Sequence, residues 1–214
     1  MSDQPHAHTA AGEQIKVVLF DIGGVLARFA GLEVLRELTG SDSELDVVAR
    51  WLRSPVVRRF ESGGCSDEEF AAEVVAEWNL PYTPTEFLGI FPGWLDDPFA
   101  GAEEMIRQTA TRASVGCLSN TNALQWHGMI SKWPLSALFE DRLRFLSFDL
   151  GAVKPDAELY ERVIQRLPVP PAHVLFLDDN PLNVEGAHAA GLRAEQAIAV
   201  DGAREVLRRY GLLS

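Results

Sequence analysis

Four polar positions in this chain of 214 residues carry residue types that act together on charged oxygen: Asp21, the pair Ser119-Asn120, Lys154, and the pair Asp178-Asp179. Carboxylates from separate segments can share a hard divalent cation such as Mg²⁺, which prefers oxygen ligands. An ammonium and a hydroxyl opposite that ion can then hold a phosphate group. Taken singly, each position also has an ordinary reading, since an Asp that ends a strand often only caps a helix or makes a turn. What joins them is their placement. Asp21 follows the apolar run at 15–20 (IKVVLF), Ser119 follows 113–118 (ASVGCL), Lys154 comes shortly after 143–148 (LRFLSF), and Asp178 follows 174–177 (VLFL).

These runs are short, continuously apolar and rich in β-branched residues, as strands buried on both faces are. A weaker run covers 193–200. Helical patterns lie between them. Residues 156–167 put Leu159, Tyr160, Val163, Ile164 and Leu167 on one face. Residues 181–190 have Asn180 as N-cap, Pro181 at the first position and Gly191 as a stop, and Val206, Leu207 and Tyr210 mark a last helix. Strands alternating with helices predict an α/β fold with a doubly wound, parallel, Rossmann-like sheet, whose ligands bind at the carboxyl ends of the strands. The four polar positions should therefore converge on one crevice. Residues 27–97 break the rhythm with helical patterns and no buried-strand run, so an all-helical insertion is expected there. Within it, Ser66 and Glu69 read as a capping box ahead of Phe70, Val74, Val75 and Trp78. The expected division is a disordered tail at 1–14, a core of 15–26 and 98–214, and the insertion at 27–97.

Composition narrows the function classes. With 47% hydrophobic and 23% charged residues, the chain is neither disordered nor fibrous. Its longest apolar run is too short to span a membrane, and a polar start without a basic and then apolar stretch predicts a cytoplasmic protein. Cys65 and Cys117 have no partner at metal-ligand spacing, which excludes a disulfide scaffold. A net charge of −12 disfavours nucleic acid and anionic membranes as partners. Against that charge, any anionic substrate must be held by local groups; 14 of the 31 acidic residues but only 6 of the 19 basic ones fall in 27–97, which leaves the sheet domain nearly neutral. His6, His8, His127, His173 and His188 lack partner patterns and read as bystanders. The tryptophans read as core, and Arg53, Arg58 and Arg59 are either a solvated helix face or substrate contacts.

The segments FDIGGVL (20–26), CLSNTN (117–122), LGAVKPD (150–156) and VLFLDDNPLNVEGAHAAGL (174–192) resemble, in order and over nearly the whole chain, the four motifs of the haloacid dehalogenase superfamily. FESGGCSDEEF (60–70) is similar to the sugar-phosphatase branch, which includes α-D-glucose 1-phosphate phosphatases and the N-terminal phosphatase domain of soluble epoxide hydrolase. The resemblance implies a helical cap at 27–97 and an Mg²⁺-dependent phosphatase acting on a small phosphorylated metabolite, a sugar phosphate among the candidates. Asp21 would be the nucleophile, forming an aspartyl-phosphate, and would hold Mg²⁺ with the Gly23 carbonyl and Asp178. Asp179 would orient Asp178 or a water on the ion, and Asn183 would join that network. Ser119, the Asn120 amide and Lys154 would bind the phosphoryl oxygens. One departure stands out. Phosphatases of the superfamily usually read Asp-x-Asp, the second Asp serving as general acid and base, and here Gly23 occupies its place. A catalytically silent, phosphate-binding regulatory protein is therefore a competing reading. A 2-haloacid dehalogenase is a weaker one, because those enzymes usually replace the acidic pair that Asp178-Asp179 retains.

Overall fold

Val17–Phe20 (β1), four apolar residues with at most 1% of their surface exposed, form the strand on which the sheet is built. In the computed structural model, which describes residues 14–40 and 43–214, it is followed by a short strand β2 (Ala27–Phe29). Five helices come next: α1 (Gly31–Thr39), α2 (Glu44–Arg53), α3 (Pro55–Glu61), α4 (Asp67–Trp78) and α5 (Pro84–Ile90). The chain continues through β3 (Leu95–Pro98), α6 (Ala102–Thr109), β4 (Ser114–Ser119), α7 (Ala123–Gly128), β5 (Arg144–Leu146) and α8 (Ser147–Leu150). It ends with α9 (Ala157–Arg166), β6 (Val174–Asp178), α10 (Pro181–Ala189), β7 (Arg193–Gln196) and α11 (Ala199–Arg209). The tail expected to be disordered, with His6 and His8, lies outside the described residues except for Gln14.

Five strands pair in the order β5-β4-β1-β6-β7, every pair parallel. Since successive side chains on a strand point to opposite faces, β1 serves two cores at once. Val18 and Phe20 pack with Met105 and Ile106 of α6 and Val206 and Leu207 of α11. On the other face, Val17 and Leu19 pack with Leu159, Tyr160 and Val163 of α9 and Ala187 of α10. The chain winds from β1 outward through β4 to β5, then returns to β6 on the opposite side of β1. That reversal places a crevice at the carboxyl ends of β1 and β6. No helix among the described residues is long and apolar enough to cross a membrane.

Residues 35–94 have a separate apolar cluster that includes Leu35, Trp51, Phe60, Phe70, Phe87, Phe91 and Trp94. Phe60 and Phe70 stack at 3.9 Å between centroids, and Phe91 meets the edge of Phe70 at 5.2 Å. The Ser66–Glu69 capping box is present at the start of α4, and a second one, Thr83 with Glu86, starts α5. The segment is not purely helical. β2 and β3 pair antiparallel, Ala27 opposite Pro98 and Phe29 opposite Leu95, where no strand was expected. Strands of three and four residues reading ARF and LDDP have too few apolar positions to register as a buried run. A second difference concerns the run at 143–148: β5 ends at Leu146, and Ser147 already begins α8.

The aromatic cluster should carry the stability of the helical segment. Phe70→Ala removes a ring with no exposed surface and should lower the unfolding free energy by about 3–5 kcal/mol in a denaturant titration. A loss below about 1 kcal/mol would show that the cluster does not hold the helices.

Candidate active site

Asp21 is the first residue beyond β1, Asp178 the last residue of β6, and Ser119 the last of β4. Parallel pairing in register brings these strand ends to one edge, and Asp21 is fixed there by the bond from its backbone N–H to Leu177 O. Lys154 arrives differently. From the end of β5 the chain runs through α8 and a loop that closes on a cis peptide between Lys154 and Pro155, so the lysine is presented eight residues past its strand. Asn120 fastens that loop on both sides of the Lys154 backbone: its Nδ2 donates to Lys154 O at 3.1 Å, and its Oδ1 accepts from Lys154 N at 2.8 Å. A second latch, unforeseen from the sequence, is Ser147, whose hydroxyl accepts from Thr121 N and donates to Thr121 O, both at 2.9 Å. Short hydroxylic residues in loops form such side-chain to backbone bonds readily, but their spacing here, 26 residues apart, carried no local signal.

The Lys154 side chain is 1% exposed and its ammonium has three oxygen partners. Nζ lies 2.6 Å from Asp178 Oδ2 and 3.0 Å from Asp21 Oδ1, and donates to Leu118 O at 3.1 Å. The Phe176 ring lies beneath it, 5.3 Å from Nζ to centroid. Burial alone would pull the lysine pKa down, but the Asp178 and Asp21 carboxylates outweigh it and hold the ammonium above its ordinary range. Asp178 is saturated: Asn183 Nδ2 reaches its two oxygens at 3.0 and 3.1 Å, and Asn180 N donates to Oδ1 at 2.8 Å. Asn183 is in turn fixed by Tyr160, whose hydroxyl donates to the Asn183 carbonyl at 2.7 Å. Asp21 has both its partners, Lys154 and the Ile22 N–H at 2.7 Å, on Oδ1. Its Oδ2 is left for bonding outside the protein.

Three carboxylates, of Asp21, Asp178 and Asp179, offer oxygen atoms that all lie within 4.8 Å of one another, against a single ammonium. The Asp21 carboxyl is pushed up to about 7 by burial, with Asp178 and Asp179 adding to the rise and Lys154 opposing it. Asp179 is pushed up to about 6 by burial and by the Asp178 charge. Such an excess of crowded, partly desolvated oxygen donors fits a hard divalent cation and does not fit a soft one.

The expected site residues thus gather at one crevice: Asp21, Ser119, Asn120, Lys154, Asp178, Asp179 and Asn183. The Asn120 side chain is spent on the Lys154 loop, so any anion contact from this residue falls to its backbone N–H. Gly23 sits beside them with open space, for a Cβ built on it meets nothing within 4 Å. The glycine that is conformationally required is the next one. Gly24 has φ +73° and its Cβ would fall 2.2 Å from Asp179 Oδ2. Of the arginines, Arg58 pairs with Asp156 at 2.5 Å and Arg59 with Glu73 at 2.6 Å, so neither is a free solvated charge. His127 packs on the edge of Phe148 and His173 bonds Gln14 O, away from the carboxylates.

Gly24→Ala should therefore lower the unfolding free energy by more than the roughly 1–2 kcal/mol of a left-handed residue alone, because the clash with Asp179 adds to it. Gly23→Ala should cost under about 1 kcal/mol. Equal melting temperatures for the two variants would contradict this assignment.

Comparison with known proteins gives a consistent set of relatives. A model of haloacid dehalogenase-like hydrolases matches residues 15–191. A D-ribitol-5-phosphate phosphatase of Bacteroides thetaiotaomicron is 24% identical over 197 residues, which span 85% of this chain and 91% of that protein. Among solved structures, a HAD family enzyme of the same bacterium in a magnesium complex matches with a TM-score of 0.72 at 20% identity, over 92% of this chain and 100% of that one. An L-2-haloacid dehalogenase matches with a TM-score of 0.61 at 19% identity, over 86% of this chain and 85% of the other. At these identities the solved structures establish a shared fold, and one fold hosts both chemistries.

Proposed function

The chain belongs to the haloacid dehalogenase-like hydrolases, and from that premise we propose that it is an Mg²⁺-dependent phosphatase that cleaves a small phosphomonoester through an aspartyl-phosphate on Asp21. The observation that carries the reading is the surplus of carboxylate at the crevice, three acidic groups around one buried ammonium. Attack on the carbon of a haloacid needs no cation and gains nothing from this surplus. A dianionic phosphoryl group needs one, since without it Asp21 and the substrate repel each other. Asp21, the Gly23 carbonyl and Asp178 would hold the ion, with Asp179 orienting Asp178 or a coordinated water. The chemistry that a bound Mg²⁺ supplies there is neutralisation of phosphoryl charge and alignment for in-line displacement.

The chain's own groups account for the remaining work. Asp21 attacks phosphorus with a carboxylate oxygen, the ester P–O bond breaks, and the departing alkoxide takes a proton. A water then attacks the phosphorus of the aspartyl-phosphate and gives up a proton, the P–O bond to Asp21 breaks, and inorganic phosphate leaves. Lys154 steadies the Asp21 and Asp178 carboxylates in the resting site and, with Ser119 and the backbone N–H of Asn120, offsets charge on the phosphoryl oxygens in the transition state. The relative named for ribitol 5-phosphate supports a polyol or sugar phosphate as the class of substrate. Residues 27–97 act as the cap that selects it, and the rest of the chain as the catalytic core.

Hydrolysis of 4-nitrophenyl phosphate should require added Mg²⁺ and stop in excess EDTA. Asp21→Asn should abolish it, and Lys154→Ala should lower kcat/KM by about 10²–10³-fold. Undiminished turnover in EDTA would refute the proposal. Tight phosphate binding without turnover would establish the silent regulatory protein, and halide release from a 2-haloacid the dehalogenase.

A further inference from the structure

The phosphatase reading leaves one step without an agent. The leaving group must receive a proton and the second-step water must lose one, yet the residue two places after the nucleophile is Gly23, next to open space. Asp21, Asp178 and Asp179 are committed to nucleophile and cation, and the described histidines lie elsewhere. The donor must enter from another part of the chain.

Helix α3 is the element that approaches. Arg58 on α3 pairs with Asp156, two residues beyond Lys154, at 2.5 Å. On the far side, Gly63 (φ +72°) lies so close to the Phe148 carbonyl that a Cβ there would be 2.7 Å from the oxygen. The segment 58–63 is thus pinned at both ends to residues 148–156, the end of α8 and the loop that delivers Lys154. Between the pins, three residues after Arg58 and on the same helical face, stands Glu61. Its side chain is half-buried and, unlike Glu69, Glu73 and Asp156 nearby, is in no hydrogen bond or ion pair with the described residues. The Lys154 charge acts on the Glu61 carboxyl.

We propose that Glu61, reaching over the crevice from α3, is the general acid and base of this phosphatase and does the work that Gly23 leaves undone. This rests on the phosphatase reading above. In the first half-reaction the proton on a Glu61 carboxyl oxygen passes to the ester oxygen as the P–O bond breaks, and an alcohol departs. In the second, the Glu61 carboxylate takes a proton from the water that attacks the aspartyl-phosphate, which restores the acid form. Burial raises the Glu61 carboxyl to about 7, while Lys154 and Arg58 work against the rise. A carboxyl poised there can both give and take a proton near neutrality.

The test uses the full chain, Mg²⁺ and a series of aryl phosphates of increasing leaving-group basicity. In Glu61→Gln the steady rate should fall by about 10²–10⁴-fold, the usual contribution of a general acid–base group. 4-Nitrophenolate should appear in a burst near one equivalent of enzyme, because phosphoryl transfer to Asp21 continues while hydrolysis stalls. The rate should also depend more steeply on leaving-group basicity than in the wild type. Adding Gly23→Asp to Glu61→Gln should recover at least tenfold of the steady rate, a rescue that a merely structural role for Glu61 would not permit. Linear kinetics at the wild-type rate in Glu61→Gln would overturn the proposal, as would a burst in the wild type itself. If no variant and no wild-type sample turns over any ester or accumulates phosphoryl-Asp21, the phosphatase reading has failed as well. Turnover with an unchanged leaving-group dependence fails Glu61 alone.

Discussion

An ammonium with 1% of its side chain exposed cannot exist in a protein interior without partners, and most of this site follows from meeting that demand for Lys154. Two carboxylates and a backbone carbonyl surround it, and they come from three strands: Asp21 just after β1, Asp178 at the end of β6 and Leu118 in β4. Parallel pairing of β1, β4 and β6 supplies them at adjacent strand ends. The lysine itself must then come from outside the sheet, and the bonds from Asn120 to both sides of its backbone hold it there. Asn183 and Tyr160 extend the same constraint to α10 and α9. Removing the lysine would leave buried like charges facing each other, so fold and reactivity share one bond set.

The central sheet was legible because burial on both faces erases alternation and leaves plain apolar runs at 15–20, 113–118 and 174–177. The convergence of Asp21, Ser119 and Asp178 followed from those runs. Lys154 meets Asp21 and Asp178 as its sequence position suggests, although its strand ends earlier than the run at 143–148 implies, since LSF continues the apolar pattern while the backbone already turns into α8. The β2–β3 pair was invisible for the opposite reason, having almost no apolar pattern. Glu61 lies within the FESGG segment, but only the tertiary approach of α3 to residues 148–156 distinguishes it from a neighbour such as Glu68. Gly23 and Gly24 were likewise inseparable as letters. The backbone shows that Gly24 carries the conformational requirement and Gly23 does not.

Charge is distributed unevenly for related reasons. Residues 27–97 hold most of the negative excess, while the positive groups that matter are spent in specific pairs: Arg58 with Asp156, Arg59 with Glu73, Arg28 with Asp96 and Glu33. The Arg58 pair is partly exposed, so by itself it adds little stability. Its effect is directional, fixing which face of α3 meets the segment that carries Lys154.

The ribbon of β2 and β3 has a consequence for how such a molecule can change over generations. Ala27 and Pro98, where the chain leaves the sheet and returns to it, are paired neighbours in space. A stretch whose two ends meet can lengthen, shrink or be exchanged without altering the threading of the sheet, so new specificities can be acquired by replacing it as a cassette. A protein whose proton donor sits in the core is free to make that exchange. One that keeps its donor on α3 is not, because each replacement must bring a carboxyl of its own to the same place, and lineages of this kind should diversify more slowly.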